Sequence, residues 1–84
     1  MDNENKYLVY GRSSCPFCVE AIHILKSNNI ENIFFDLESD RSFLNQAKIF
    51  YNHPTVPIVL KINRETGMVK LIGGCDDLKG DLND

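Results

Sequence analysis

The sequence predicts a small α/β domain in which four strands form one mixed sheet flanked by three helices. Short β-prone runs alternate with segments whose apolar residues recur at helical spacing, in the order β-α-β-α-β-β-α. The 84 residues suffice for one domain. A chain of this size buries only about 60 to 65% of the surface that its unfolded form exposes. We therefore expect residues 1–84 to fold around a single compact core.

The first half of the chain predicts two strands with a helix between them. Residues 6–10 are β-prone and end at Gly11, which predicts a strand over 6–11. Pro16 suits the first position of a helix, which is predicted to run to about Asn28. Residues 33–37 predict the second strand. The apolar positions that recur along the helix are Val19, Ile22 and Leu25, flanked by Ala21 and Ile24.

The second half predicts a helix, a hairpin and a short last helix. Ser39 and Asp40 are N-cap candidates for a helix over 40–51. Pro54 ends that helix, because the residue before a proline avoids the α region. The last helix is predicted to be poorly formed, since Gly80 lies in its middle. The remaining predicted elements are the strand 57–62, the loop 63–67, the strand 68–72, the turn 73–74 and the helix 76–82.

The order of these elements determines the topology. A helical crossover makes the first two strands parallel, and a short loop makes the last two an antiparallel hairpin. This is the element order of the minimal thioredoxin-like fold. A fold does not specify chemistry, so the motifs have to indicate the function. The aromatic residues expected in the core are Phe34, Phe35, Phe43 and Phe50.

Composition and charge disfavour several classes of partner. The formal net charge of -3 provides no broad attraction to nucleic acid or to an anionic membrane. No apolar stretch approaches the ~20 residues of a membrane span, and the first residues are acidic and polar, unlike a secretory signal. Three cysteines are few for a disulfide-stapled secreted domain. We expect a cytoplasmic monomer that binds neither nucleic acid nor membrane.

Two of the cysteines, Cys15 and Cys18, have a spacing that is typical of redox chemistry. A cysteine attacks a disulfide only as thiolate, so the pKa of the attacking thiol has to be lowered. The predicted helix start places Cys15 where backbone N–H groups and the helix dipole favour an anion, and Arg12 adds a nearby cation. Cys18 follows on the same side of the helix and is more shielded. Cys15 is therefore the predicted nucleophile, and Cys18 the thiol that resolves the mixed disulfide.

The same spacing leaves two other interpretations open. The two cysteines are also half of a zinc site, which Cys75 together with His23 or His53 would complete. A structural zinc site usually has a second close pair of ligands, and a proline at the start of a helix suits redox chemistry better. A pair of inert buried cysteines is the third interpretation.

Three segments together resemble the signatures of the glutaredoxin family, in order and with suitable spacing. The Pro-Phe pair between the cysteines is similar to the Pro-Tyr of dithiol glutaredoxins. It differs from the Gly-Pro of thioredoxins and from the single-cysteine Gly-Phe-Ser of monothiol members. The resemblance covers nearly the whole chain and implies a glutathione-dependent thiol–disulfide oxidoreductase with a thioredoxin-like fold. The three segments are Gly11–Cys18, Thr55–Pro57 and Gly73–Asp77.

The resemblance also implies a glutathione site, with glutathione as co-substrate rather than tightly bound cofactor and with no metal. Pro57 would be cis, and Val56 would pair its backbone with glutathione in the manner of an added strand. Arg12 stands where many relatives have lysine and would meet the glycyl carboxylate, with Arg41 as a second candidate. The implied glutathione-binding residues are Arg12, Phe17, Thr55, Val56, Pro57, Gly74, Cys75 and Asp76.

At the other end of glutathione, the backbone N–H groups of Cys75 and Asp76 would receive the γ-glutamyl carboxylate and the Asp76 side chain its ammonium. Asp76 and Asp77 are also N-cap candidates, and the Cys75 thiol is expected to be non-catalytic. The implied partners are disulfide-containing or glutathionylated proteins, with ribonucleotide reductase as one candidate. The rival functions are a redoxin that depends on thioredoxin reductase and a non-enzymatic iron–sulfur carrier.

Overall fold

The computed structural model of the protein describes residues 4–83. The predicted element order is confirmed, and each boundary lies within one residue of its predicted position. None of the helices in this range has the length and apolar character of a membrane span. The strands are β1 (Asn5–Gly11), β2 (Asn32–Asp36), β3 (Ile58–Asn63) and β4 (Val69–Gly73), and the helices are α1 (Pro16–Ser27), α2 (Arg41–Phe50) and α3 (Cys75–Leu82).

The four strands form one mixed sheet in the order β2-β1-β3-β4. β1 is parallel to β2 and antiparallel to β3, and β3 is antiparallel to β4. Tyr10 at the end of β1 pairs with Ile58 at the start of β3, and Val59 pairs with Gly73 at the end of β4. The three motif segments therefore lie next to one another at the same end of the strands.

One face of the sheet packs against α1 and α3 and holds the main core. Val9 and Val59 on the sheet, Leu25 on α1 and Leu78 on α3 are all fully buried. Burying each leucine stabilises the fold by about 1.5 to 3 kcal/mol. This packing orients α1, whose first residue follows the motif cysteine directly.

The last helix is regular, so the expectation of a poorly formed α3 is wrong. Leu78 anchors its middle in the core, and Asp81 accepts a hydrogen bond from the Tyr7 hydroxyl at 2.7 Å. Asp81 also pairs with Lys61 at 3.3 Å. These tertiary contacts outweigh the low helix propensity of Gly80.

The opposite face of the sheet is covered by α2 only in part. Leu44 and Ala47 on α2 are buried there, but Phe35, Phe43 and Phe50 are 42%, 48% and 79% exposed. The expectation that these three side chains lie in the core is wrong. Phe35 lies on the edge strand β2, and Phe43 and Phe50 flank the buried stripe of α2. Phe35 and Phe43 also contact the Tyr10 ring. Phe34 points to the first face and packs against the main core, as expected.

Two glycine substitutions test this packing. An alanine Cβ at Gly11 would lie 2.5 Å from the Cys18 sulfur and 3.3 Å from the Phe34 ring. We expect Gly11→Ala to lower the free energy of unfolding by about 1 to 3 kcal/mol, as overpacking does. Gly80→Ala is the control: nothing lies within 4 Å of its Cβ, so it should gain about 0.5 to 1 kcal/mol of helix stability. Urea unfolding followed by circular dichroism measures both, and equal stability of the two variants would contradict the packing described.

Candidate active site

The first motif cysteine lies at the start of α1. Cys15 is the N-cap residue, with an extended backbone, and Pro16 is the first residue of the helix. Proline suits this position because its fixed φ matches the helix and its missing N–H leaves no donor unsatisfied. The Cys15 N–H donates to the Arg12 carbonyl at 3.0 Å, which closes a tight turn before the helix. The half-buried sulfur therefore lies beside the first backbone N–H groups of α1.

The surroundings of the Cys15 sulfur stabilise its anion. Burial acts to raise the pKa of Cys15, but hydrogen bonds from the Cys18 thiol and from the backbone N–H groups of Cys18 and Phe17 lower it. The charge of Arg12 acts in the same direction, and the pKa of Cys15 lies below its ordinary value. This sulfur therefore has the thiolate character that attack on a disulfide requires.

The second motif cysteine is in the opposite situation. Cys18 is fully buried, and burial together with the nearby Cys15 charge raises its pKa to about 12. The Arg12 backbone N–H lies 3.5 Å from the Cys18 sulfur and opposes this rise. The pair is therefore asymmetric, with one activated thiol at the surface and one protonated thiol beneath it.

The segment before β3 forms the wall opposite Cys15. The Val56–Pro57 peptide bond is cis, as the resemblance implies. The Val56 carbonyl oxygen lies 4.0 Å from the Cys15 sulfur. Pro57 is buried, Val56 is half-buried and Thr55 is exposed, so the backbone of this segment borders the surface next to the thiol.

A groove of about 590 Å³ begins at this wall and runs to the start of α3. It brings together every predicted glutathione-binding residue except Arg12. Phe17, which is 61% exposed, forms its border beside the cysteines. The predicted residues that line it are Phe17, Thr55, Val56, Pro57, Gly74, Cys75 and Asp76.

The far end of the groove is the N-terminus of α3. Gly74 is the N-cap residue, and its N–H donates to the Asp77 carboxylate at 2.9 Å. Asp77 therefore caps this turn, while Asp76 lies exposed on the groove. The Cys75 thiol is buried, and burial together with the nearby Glu20 carboxylate raises its pKa. A thiol with a raised pKa is poorly suited to attack.

Two basic residues on the groove were not predicted as glutathione ligands. Lys48, in the last turn of α2, and His53, just after that helix, both line it. His53 Nδ1 lies 2.8 Å from the Thr55 carbonyl oxygen. Lys48 follows the buried Leu44 by four residues, and this helical spacing is the signal that could have identified it. Arg41, the alternative that was predicted, is the exposed first residue of α2 and does not line the groove.

Arg12 also does not line the groove. Its Nε and Nη2 atoms donate to one oxygen of Glu38 at 3.2 and 2.8 Å. Hydrogen bonds from Ser14 and from Arg12 lower the pKa of Glu38 to about 2. Sequence reasoning missed Glu38, although it lies two residues after the end of β2 and the parallel pairing of β1 with β2 brings it beside the motif loop.

The other side chains considered as metal ligands lie apart. His23 is exposed on α1, where its Nε2 lies 3.4 Å from the Ser27 hydroxyl. Between residues 4 and 83, no group of three His, Cys, Asp or Glu side chains is arranged to hold a metal ion. All three cysteines are reduced thiols.

Comparison with known proteins agrees with this geometry. A sequence model of the Glutaredoxin family matches residues 8–65. Glutaredoxin-1 of Rhizophagus irregularis is 30% identical over 77 residues, which are 88% of this chain and 70% of that protein. A buckwheat glutaredoxin–glutathione complex superposes with a TM-score of 0.75 at 21% identity, covering 98% of this chain and 72% of that one. Wheat glutaredoxin superposes with a TM-score of 0.72 at 28% identity, covering 93% and 71%.

The family match spans more than half of the chain and includes both motif cysteines and the cis proline. The structural neighbours share the thioredoxin-like arrangement of a four-stranded mixed sheet with three helices. This chain therefore belongs to the glutaredoxin family of thiol–disulfide oxidoreductases.

Proposed function

We propose that this glutaredoxin uses glutathione to reduce protein disulfides and glutathione mixed disulfides through Cys15 and Cys18. The observation that carries the proposal is the asymmetry of the two thiols. Cys15 has a lowered pKa and a half-buried sulfur 4.0 Å from the carbonyl oxygen of Val56, which lines the groove. Cys18 is fully buried and has a raised pKa. We propose the cytoplasm as the compartment, since glutathione keeps thiols reduced there.

In the first half-reaction, the Cys15 thiolate attacks a disulfide sulfur and the leaving thiolate takes up a proton. With a glutathionylated protein, the protein thiol leaves and glutathione stays on Cys15. A second glutathione thiolate then attacks the glutathione sulfur, which releases glutathione disulfide and restores the Cys15 thiolate. Each cycle therefore oxidises one glutathione thiol and frees one protein thiol, and the other half of the glutathione disulfide comes from the mixed disulfide.

Cys18 is needed when the substrate is a protein disulfide. Attack by Cys15 then leaves a mixed disulfide to the protein, and Cys15 no longer carries a charge. Loss of that charge removes one of the causes that raise the pKa of Cys18. Cys18 can then ionise and attack Cys15, which releases the reduced substrate and leaves a Cys15–Cys18 disulfide for two glutathione molecules to reduce.

The charges along the groove support glutathione as the reductant. Glutathione has a carboxylate at each end and an ammonium at its γ-glutamyl end. The start of α3 offers backbone N–H groups for that carboxylate, with the exposed Asp76 for the ammonium. Lys48 supplies donors and a positive charge for the glycyl carboxylate, and the Val56 backbone supplies the wall between the two ends. A structural neighbour was solved as a complex with glutathione.

We propose disulfide-containing and glutathionylated proteins as the partners of a monomeric enzyme. Ribonucleotide reductase is included among them on the family resemblance alone. We propose that the groove recognises glutathione and that the surface around it contacts the protein substrate.

The pH dependence of alkylation tests the order of the two thiols. Iodoacetamide should modify Cys15 first, with a midpoint below the ~8.5 of an ordinary thiol, because a lowered pKa keeps the thiolate populated at lower pH. Cys18 should stay unmodified through this range, since it is fully buried and burial is the main cause of its raised pKa. Peptide mapping by mass spectrometry follows both sites. Earlier modification of Cys18, or a Cys15 midpoint above the ordinary value, would refute the assigned roles.

Replacing each cysteine by serine tests the catalytic roles. Cys15→Ser should abolish turnover, because the only activated thiol is lost. Cys18→Ser should keep the reduction of a glutathione mixed disulfide, which glutathione itself resolves, and should lose the reduction of a protein disulfide such as that of insulin. Turnover is measured with glutathione and glutathione reductase, and in parallel with thioredoxin reductase.

Cys75→Ser is the matched control for these variants. It removes a thiol that lines the same groove, and it should change turnover by less than about tenfold, or ~1.4 kcal/mol of activation free energy. A larger loss would assign Cys75 a part in the reaction. Turnover of the wild type with thioredoxin reductase but not with glutathione would replace the proposed function by a thioredoxin-like one.

A further inference from the structure

Two cysteines of this chain lie at the start of a helix, and only one of them has an activated thiol. Cys15 is the N-cap residue of α1, and Cys75 is the first residue of α3. The N-terminus of a helix favours a thiolate and so lowers the pKa of a cysteine. The pKa of Cys75 nevertheless lies above its ordinary value. The surroundings of Cys75 therefore oppose the effect of the helix.

The position of Cys75 would suit a reaction with glutathione. Cys75 lines the groove next to Gly74 and Asp76, where the γ-glutamyl end of glutathione is proposed to bind. A thiolate there would attack glutathione disulfide and form a sulfur–sulfur bond to one glutathione, while the other would leave as a thiolate and take up a proton. The adduct would fill part of the groove that the reaction at Cys15 needs.

A carboxylate on the neighbouring helix holds the Cys75 thiol. Cys75 belongs to the main core together with Ala21 of α1, and its thiol donates a hydrogen bond to the carboxylate of Glu20, the preceding residue of that helix. Burial raises the pKa of Cys75, and Glu20 raises it further. The thiol has to give up this hydrogen bond to become a nucleophile, and the carboxylate would then repel the thiolate.

The same carboxylate forms an ion pair with a lysine that acts on Cys75 in the opposite direction. Lys79 Nζ pairs with Glu20 Oε2. Lys79 follows Cys75 by four residues, which places both on one face of α3. The charge of Lys79 lowers the pKa of Cys75, whereas the charges of Glu20 and, more weakly, Asp76 raise it. The two members of one ion pair therefore have opposite effects on the thiol.

We propose that Glu20 is a positioning residue that keeps the Cys75 thiol out of the exchange reaction, so that glutathione forms its mixed disulfide on Cys15 alone. The inference deepens the proposed function and rests on the proposed glutathione chemistry of the groove. Without the Glu20 carboxylate, Cys75 would gain thiolate character at the start of α3 and become a second site of glutathione attachment.

Alkylation of Cys75 tests the role of Glu20 without glutathione. The chain has three cysteines, so a parent protein with Cys15→Ser and Cys18→Ser keeps Cys75 as its one thiol. In this parent, Glu20→Gln should react with iodoacetamide about three- to tenfold faster at neutral pH, because removing a carboxylate beside a thiol lowers the pKa of the thiol. The midpoint of the pH profile should fall accordingly. Glu20→Asp keeps the charge and should stay slow.

Lys79→Gln is the matched control, because it breaks the same ion pair from the other side. A loosened contact between α1 and α3 would expose Cys75 and speed its alkylation in both variants. The charge effect has opposite signs instead, so Lys79→Gln should slow alkylation and move the midpoint to higher pH. Glu65→Gln, in the exposed loop between β3 and β4, should leave the rate unchanged. Circular dichroism checks that each variant is folded.

Glutathione disulfide tests the consequence for the reaction. Cys18→Ser protein should take up one glutathione, on Cys15. The same protein with Glu20→Gln should take up a second glutathione, on Cys75. Peptide mapping by mass spectrometry assigns both sites.

The inference is overturned if Glu20→Gln is alkylated no faster than its parent, including the case in which Cys75 stays inert in every folded variant. It is also overturned if Glu20→Gln and Lys79→Gln change the rate in the same direction, or if no second glutathione attaches to Cys75. Opposite rate changes in a protein whose wild type does not turn over with glutathione would refute the proposed function and leave the effect of Glu20 on Cys75 standing.

Discussion

The chemistry of this protein depends on the hydrogen bonds that the start of α1 directs at the Cys15 sulfur. The N–H groups of Phe17 and Cys18 and the Cys18 thiol together outweigh the cost of burying an anion there. Because Cys18 lies one helical turn further in, it is buried and stays protonated while Cys15 is charged. The start of α1 therefore lowers the pKa of Cys15 and keeps Cys18 buried and protonated until Cys15 has reacted.

The sheet provides the rest of the site by bringing distant segments to one edge. Antiparallel pairing of β1 with β3 places the Val56 carbonyl opposite Cys15. Pairing of β3 with β4 brings Gly74 and the start of α3 to the far end of the same groove. The groove has donors at both ends and an acid at one. This is the charge pattern that the proposed co-substrate glutathione, with its two carboxylates and one ammonium, would require. The register of the strands therefore determines which backbone segments border the site.

Local signals in the sequence predicted most of the helices, strands and site residues. The features that were not predicted depend on contacts between residues far apart in the chain. The helix start at Pro16 follows from one residue type, and the three motif segments follow from family resemblance. The pairing of Arg12 with Glu38 depends on the register of β1 against β2, which no local pattern reveals. The exposure of Phe50 likewise depends on how α2 lies across the sheet, because its spacing fits a buried stripe as well as a flank.

The sulfur that forms the mixed disulfide with glutathione identifies the attacking thiol. Cys18→Ser protein is incubated with glutathione disulfide, and the modified peptides are mapped by mass spectrometry. We expect one glutathione, on Cys15, with the Cys75 thiol unmodified, because Cys15 is partly exposed and has a lowered pKa, whereas Cys75 is buried and has a raised pKa. Glutathione on Cys75 instead, or no adduct on a folded protein, would contradict it.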